Sequence, residues 1–201
     1  MKLLGLDFDN TLVHYDRLFH QLALEKDLIK QSVPANKTAI RDYLRRQGRD
    51  EQFTLLQGEV YGARILEAEP AEGMLKALKE IQELGIPMVL VSHKTRTPYK
   101  GPKYNLHNAA WAWLEKQSFF SNNGLNWEKS QVFFEESKEK KVARVQSLNC
   151  THYVDDLKEI LDMLPNEIKK IHYFPDHIKT NPKDSSCIHL RNWASLVNLV
   201  N

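Results

Sequence analysis

Short apolar runs alternate with longer amphipathic segments along most of this chain. The runs are residues 3–6, 87–91, 131–134, 152–154, 171–174 and 187–190. Between them, apolar side chains recur at helical spacing, as at Met74, Ala77, Leu78 and Ile81. This pattern is typical of buried parallel strands linked by helices. We therefore predict an α/β fold with a Rossmann-like, three-layer α/β/α core around a parallel sheet.

One long segment departs from this alternation. Within residues 14–66, Leu18, Leu22 and Ile29 have the spacing of one helix face, and two further helical patterns follow Pro34. No strand-like alternation is present in this stretch. We predict that residues 14–66 form a small helical cap inserted into an α/β core of residues 1–13 and 67–201.

The composition argues against several classes of protein. Across 201 residues, 28 basic and 26 acidic side chains give a net charge of +2, which is too balanced to indicate a nucleic-acid or membrane surface. Two cysteines are too few for a disulfide framework and suit a reducing compartment. No apolar stretch approaches the length of a membrane-spanning helix. We expect a soluble, cytoplasmic protein without a membrane partner; the oligomeric state stays open.

The first apolar run leads directly into a pair of acids, Asp7 and Asp9, separated by Phe8. Alternation along a strand puts the two carboxylates on the same side and Phe8 on the other. Two anions this close repel each other unless a cation lies between them or one takes a proton. The pair therefore favours a hard metal such as Mg²⁺ and an acid/base or nucleophilic carboxylate.

Polar residues also follow the next strands. Ser92 ends the second predicted strand, Lys141 lies at the start of the helix after the third, and Asp155 and Asp156 follow the fourth. The carboxyl ends of parallel strands share one edge of the sheet, so these side chains are expected to converge on Asp7. A carboxylate nucleophile, a second acid, a hydroxyl, a fixed cation and metal-binding acids are what phosphoryl transfer through an aspartyl-phosphate requires.

These motifs, in this order, resemble those of the haloacid dehalogenase superfamily, in its phosphatase branch. The resemblance covers residues 1–13 and 70–201. It implies that Asp7 attacks phosphorus, that Asp9 acts as general acid and then general base, and that Ser92 binds a phosphoryl oxygen. Members of the superfamily that cleave carbon–halogen bonds lack the second acid and need no metal, so the acid at position 9 points to phosphate.

The resemblance also implies a metal site and a lysine. Mg²⁺ would be held by the side chain of Asp7, the backbone carbonyl of Asp9 and the acidic pair, in which Asp156 faces the metal and Asp155 orients the lysine or a metal-bound water. Lys141 is the preferred lysine. Lys138 and Lys140 are alternatives, since all three lie near the start of the same helix.

The substrate is expected to be a small-molecule phosphate ester, because a helical cap excludes water and contacts the leaving group. We assign Thr11, His93 and Lys94 to substrate binding, since they adjoin the motif residues. Two alternatives remain open: a phosphatase that processes nucleic-acid ends, and a binding or regulatory module without turnover. A zinc site is a weak alternative; it would use Cys150, His152, Cys187 and His189.

Overall fold

The computed structural model describes residues 2–175 and 186–201. Its contacts divide the chain into two compact units. The first unit, which contains the sheet, comprises Met1–Val13, Pro70–Lys94 and Ser118–Asn201. The second, helical unit comprises His14–Glu69 and Thr95–Gln117.

Eight strands are present in the described residues. They are β1 (Leu4–Leu6), β2 (Val13–His14), β3 (Glu69–Pro70), β4 (Met88–His93), β5 (Val132–Glu135), β6 (His152–Asp155), β7 (Lys169–Tyr173) and β8 (Ile188–Leu190). Six of them form one sheet in the order β5-β4-β1-β6-β7-β8, and every neighbouring pair is parallel. The predicted parallel α/β fold is therefore confirmed. β2 and β3 form a separate two-stranded sheet.

Eight α-helices accompany these strands in the described residues. They are α1 (Asp16–Glu25), α2 (Lys37–Arg46), α3 (Asp50–Tyr61), α4 (Met74–Glu83), α5 (Leu106–Lys116), α6 (Lys138–Ser147), α7 (Lys158–Met163) and α8 (Ala194–Val200). Gly85, with a φ of 72°, follows the end of α4 in the left-handed conformation that glycine adopts readily. None of the helices in residues 2–175 and 186–201 has the length and apolar character needed to cross a membrane.

The centre of the sheet is β1, which lies between β4 and β6. Leu4 and Leu6 are fully buried, and Leu6 lies opposite Leu90 of β4 and Val154 of β6. Because the three strands are parallel and in register, the residues that follow them emerge at the same edge. The polar residues after β1 therefore meet those at the ends of β4 and β6.

The helical unit contains more of the chain than the sequence predicts. Residues 95–117 are predicted as part of the α/β core, whereas in the structure they group with α1, α2 and α3. Close backbone approach explains the difference. A Cβ on Gly62 would lie 2.6 Å from Tyr104 Cβ, and one on Gly58 would lie 3.0 Å from Pro98 Cβ. Two glycines on α3 thus let this loop pack directly on the helix, which no apolar periodicity reveals.

Aromatic residues fill the interior of the helical unit. The rings of Phe19 and Phe53 stack with their centroids 5.9 Å apart, and Tyr61 meets both Tyr15 and Phe19 edge-on. The indole N–H of buried Trp113 donates to the carbonyl of Ala68 at 2.9 Å, and this contact ties α5 to the end of the preceding segment. These aromatic contacts form the core of the helical unit.

Candidate active site

Asp7 follows β1, and several donors converge on its buried carboxylate. Its backbone N–H continues the sheet by donating to Val154 O at 2.9 Å. Ser92 Oγ, near the end of β4, donates to Asp7 Oδ1 at 2.8 Å, and Thr11 Oγ1 donates to Asp7 Oδ2 at 3.4 Å. The structure therefore brings together a potential carboxylate nucleophile and two hydroxyl donors, as the order of the strands dictates.

A buried lysine from α6 bridges two of the carboxylates. Lys141 Nζ donates to Asp7 Oδ1 and to Asp155 Oδ2, both at 2.6 Å, and its side chain is 2% exposed. Ser137 fixes this first helical turn, since its side chain accepts a hydrogen bond from Lys140 N. Burial by itself lowers the pKa of Lys141, but the charges of Asp7 and Asp155 outweigh burial and hold that pKa well above its ordinary value. Lys141 is therefore a fixed cation.

The other two lysines at the start of α6 lie elsewhere. Lys138 Nζ pairs with Glu159 at 2.6 Å near the surface, and Lys140 is exposed. Among the described residues, Lys141 is the one of these three lysines that contacts the carboxylates of the site.

Asp155 and Asp156, at the end of β6, have different partners. Asp155 is fully buried and accepts hydrogen bonds from Lys141 and, at 2.9 Å, from Leu157 N. Asp156 is half-buried and receives a hydrogen bond from the Asn10 side chain. The two adjacent acids therefore have different contacts: Asp155 binds Lys141, and Asp156 binds Asn10.

Three of these carboxylates are close enough to share a metal ion. Oxygens of Asp7, Asp155 and Asp156 lie within 4.8 Å of one another, and residues 2–175 and 186–201 hold no other such group of His, Cys, Asp or Glu. Burial raises the pKa of Asp155 to about 7. Burial, with the charges of Asp7 and Asp155, also raises the pKa of Asp156 well above its ordinary value. A cluster with this excess of negative charge and only oxygen donors fits a hard dication such as Mg²⁺.

Asp9 lies outside this acidic group and pairs with a second lysine. Lys94 Nζ lies 2.8 Å from Asp9 Oδ1 and 2.9 Å from Asp9 Oδ2. The Lys94 side chain is 3% exposed, whereas that of Asp9 is 26% exposed. The site thus contains two buried lysines: Lys141 bridges Asp7 and Asp155, and Lys94 pairs with Asp9.

A tight loop sets the direction of Asp9 and its neighbours. The Phe8 carbonyl accepts hydrogen bonds from the backbone N–H groups of Thr11, Leu12 and Val13, at 3.4, 2.9 and 3.2 Å. Asn10 has a φ of 56°, a left-handed conformation that asparagine tolerates better than most residues. The chain therefore reverses directly after the two acids, and the Asn10 side chain meets Asp156.

His93 differs from its two neighbours in the sequence. It is half-buried, lies opposite Glu135 in the sheet, and makes no hydrogen bond to the acidic side chains of the described structure. Strand alternation puts it on the opposite side from Ser92 and Lys94. Its assignment to substrate binding stays a prediction.

The proposed zinc ligands do not assemble. Among the residues that the structure describes, Cys150, His152, Cys187 and His189 form no group within metal-binding distance. Both cysteines lie in an apolar cluster, and burial raises the pKa of the Cys150 thiol to about 11. The two cysteine side chains therefore pack in the core.

Comparison with known proteins identifies the fold. No family model matches the sequence, and no curated protein matches it. Among solved structures, the chain is similar to a dehalogenase, with a TM-score of 0.60, 9% identity, and coverage of 99% of this chain and 96% of that chain.

Two further structures carry bound groups. One, from Bacillus subtilis, is described as a HAD-hydrolase bound to magnesium, with a TM-score of 0.57, 11% identity, and coverage of 100% of this chain and 98% of that chain. The other is a HAD family hydrolase from Deinococcus radiodurans with bound phosphate and sodium, with a TM-score of 0.55, 11% identity, and coverage of 98% and 93%. This chain therefore has the haloacid dehalogenase-like fold that its motifs predict.

The sequence analysis does not predict two of the contacts in the site. The first is the pair of Lys94 with Asp9, and the second is the contact of Asn10 with Asp156. A signal for the first exists: Lys94 lies two positions after Ser92, so strand alternation puts both at the same face. For the second, an asparagine directly after the acids is a residue type suited to a left-handed turn.

Proposed function

We propose that this protein is a Mg²⁺-dependent phosphomonoester hydrolase that acts on a small phosphorylated metabolite through an aspartyl-phosphate. One observation carries the proposal: Asp7 is held by Ser92 and Lys141 beside the acidic pair Asp155–Asp156. A buried carboxylate with a fixed lysine, a hydroxyl donor and a place for a dication is suited to attack on a phosphate dianion.

In the first step, an oxygen of Asp7 forms a bond to phosphorus as the bond from phosphorus to the leaving oxygen breaks. Asp9, two residues away, donates a proton to that leaving oxygen. Ser92 Oγ and Lys141 Nζ contact Asp7 Oδ1. In the proposed step they would offset negative charge on the transferred group. The products of this step are the alcohol and the phosphorylated Asp7.

In the second step, Asp9 takes a proton from a water molecule, and the water oxygen forms a bond to phosphorus. The bond between phosphorus and Asp7 breaks, which releases inorganic phosphate and regenerates the carboxylate. Asp9 thus returns to its starting state. This division of roles needs an acid at both positions 7 and 9.

Mg²⁺ would be held by Asp7 and Asp156, with the backbone carbonyl of Asp9 as a further oxygen ligand. When bound, it would supply positive charge that offsets repulsion between the phosphate and the carboxylates. Asp155 contributes by holding Lys141 at 2.6 Å.

Two observations favour phosphate hydrolysis over the alternatives. The acid at Asp9 supplies the leaving-group proton that an ester requires, and the resemblance associates its absence with carbon–halogen cleavage. The net charge of +2 offers little attraction for the phosphates of a nucleic acid, so a small ester is the preferred substrate. A regulatory module without turnover would have no need of Asp9 as an acid.

The test is release of inorganic phosphate from p-nitrophenyl phosphate and from a panel of phosphorylated metabolites, with Mg²⁺ and with EDTA. We expect Mg²⁺-dependent turnover that Asp7→Asn abolishes, because an amide is not a nucleophile. Asp9→Asn should still form phosphoenzyme from p-nitrophenyl phosphate and accumulate it, because the leaving group needs no proton but the water needs a base. Metal-independent turnover, or none across a broad panel, would refute the proposal.

A further inference from the structure

Lys94 contacts both oxygens of the Asp9 carboxylate, at 2.8 and 2.9 Å. Such a two-point contact restricts rotation of the carboxylate more than a single hydrogen bond does. The Asp9 side chain is 26% exposed, so the surrounding protein does not fully enclose its carboxylate. Lys94 therefore fixes an acid that burial alone does not fix.

Lys94 is itself held in place by contacts within the protein. Its backbone N–H donates to Glu135 O of β5 at 2.8 Å, which continues the sheet beyond β4. Its Nζ lies 5.2 Å from the centre of the Phe8 ring, a cation–π contact, and Phe8 in turn meets Phe134 edge-on at 5.8 Å. A lysine normally loses rotamer freedom when it orients a partner, but here packing has already removed most of that freedom.

The ends of β4 and β1 are matched residue by residue. Ser92 contacts Asp7, and two positions later Lys94 contacts Asp9. Because side chains alternate along an extended chain, this spacing of two on each segment lets one segment orient both acids of the other.

We infer that Lys94 is a positioning residue. It holds the Asp9 carboxylate in the orientation needed to give a proton to the leaving group and to take one from water. The inference rests on the proposed function of the site. A competing role for Lys94 is direct binding of an anionic group of the substrate. The two roles differ in what they change: positioning acts on the proton-transfer steps, whereas anion binding acts on substrate affinity.

The experiment compares wild type with Lys94→Met, Lys94→Arg, Asp9→Asn and the double variant Asp9→Asn/Lys94→Met. Lys76→Met serves as the matched control, since Lys76 is an exposed lysine on α4 of the same unit. Steady-state kinetics and the rate of the initial burst of phenol or nitrophenol, which reports the first step, are measured with phenyl phosphate and p-nitrophenyl phosphate. The two esters have similar shapes but leaving groups of different acidity. Thermal unfolding of all the proteins is measured in parallel.

With phenyl phosphate, we expect Lys94→Met to lower kcat roughly 100-fold, the order of loss that misplacement of a catalytic group causes, with KM nearly unchanged. With p-nitrophenyl phosphate the loss in the first step should be much smaller, as it needs no proton; phosphoenzyme should then accumulate. Lys94→Arg should recover part of the activity. Adding Lys94→Met to Asp9→Asn should cause little further loss, because the positioned group is already gone.

Three results would overturn the inference. A rise in KM with kcat unchanged would assign Lys94 to substrate binding. An equal loss in the rate of the first step with both substrates, or a full additional loss in the Asp9→Asn background, would show that Lys94 acts independently of Asp9. Turnover absent in wild type would instead refute the proposed function. In that case thermal unfolding still tests the contact between Lys94 and Asp9. If the change in Tm of the double variant equals the sum of the changes in the two single variants, the two residues are not coupled.

Discussion

The ring of Tyr153 lies directly against the backbone of Gly5. A Cβ at Gly5 would be only 2.6 Å from Tyr153 Cδ2 and 3.1 Å from Cys150 Sγ. The missing side chain lets Tyr153 reach from β6 across β1, where its hydroxyl donates to the carbonyl of Val91 on β4. One side chain thus links three adjacent strands, directly beneath the edge that carries the acids.

We predict that Gly5→Ala destabilises the protein by about 1–3 kcal/mol, because the added methyl overpacks a filled position. Chemical denaturation would measure the change in the free energy of unfolding. The same substitution in a Tyr153→Ala background should cost less, since the clashing ring is gone. Gly48→Ala is a useful comparison, because no atom lies within 4 Å of a Cβ there and only its φ of 67° is unfavourable. Equal penalties for Gly5→Ala in both backgrounds would contradict the packing explanation.

Removal of the buried lysine should have a large effect. Lys141→Met leaves Asp7 and Asp155 without their cation, and breaking a buried ion pair in this way costs roughly 3–5 kcal/mol. Activity should also be lost. Lys140→Met, one residue earlier on the same helix, removes an exposed charge and should change stability by less than about 0.5 kcal/mol. Unfolding curves of the two variants decide the matter, and similar stabilities would be inconsistent with the structure.

The adjacent acids should respond differently to substitution. Asp156→Asn removes a potential metal ligand, so we expect the Mg²⁺ concentration for half-maximal activity to rise about tenfold or more. Asp155→Asn removes a partner of Lys141 and should chiefly lower stability and kcat. Mg²⁺ titrations of activity and of Tm measure both effects. A larger shift in metal requirement for Asp155→Asn would reverse the assignment of the two acids.

A buried histidine should make stability depend on pH below neutrality. Burial, and then the charges of Lys169 and Lys2, lower the pKa of His152 below its ordinary value of 6.5. The unfolded chain therefore binds a proton more readily than the folded chain, so the contribution is complete above pH 6.5 and is lost as pH falls. Tm measured from pH 7.5 to 5.5 should fall more steeply for wild type than for His152→Gln. Parallel curves would contradict this role.

The sequence predicts the strands and the acids well because their signals are local. The apolar run before Asp7 and the runs that end at Ser92 and Asp155 each define a strand without reference to the rest of the chain, and parallel topology then sets their common edge. The sequence alone does not identify the lysine of the site, because Lys138, Lys140 and Lys141 have similar local sequence. Only the direction of the helix relative to the sheet separates them.

Two other features depend on contacts that sequence spacing does not encode. The loop of residues 95–105 packs on α3 because Gly58 and Gly62 remove side chains from its path. The pairing of Lys94 with Asp9 requires β4 to lie beside β1 in a given register, which the chain sets only once the sheet forms. In both cases the determining partner is distant in the sequence.

The central position of β1 also affects how the protein unfolds. Leu4 pairs with Met88 on one side and with His152 on the other, so the central strand is joined to partners far along the chain. Closing such long loops is slow, and few partial structures retain β1 without both neighbours. Its amide protons should therefore exchange with solvent only when the whole sheet unit unfolds. Local fluctuations would then leave the acids assembled, and the site would be lost in the same event as the fold.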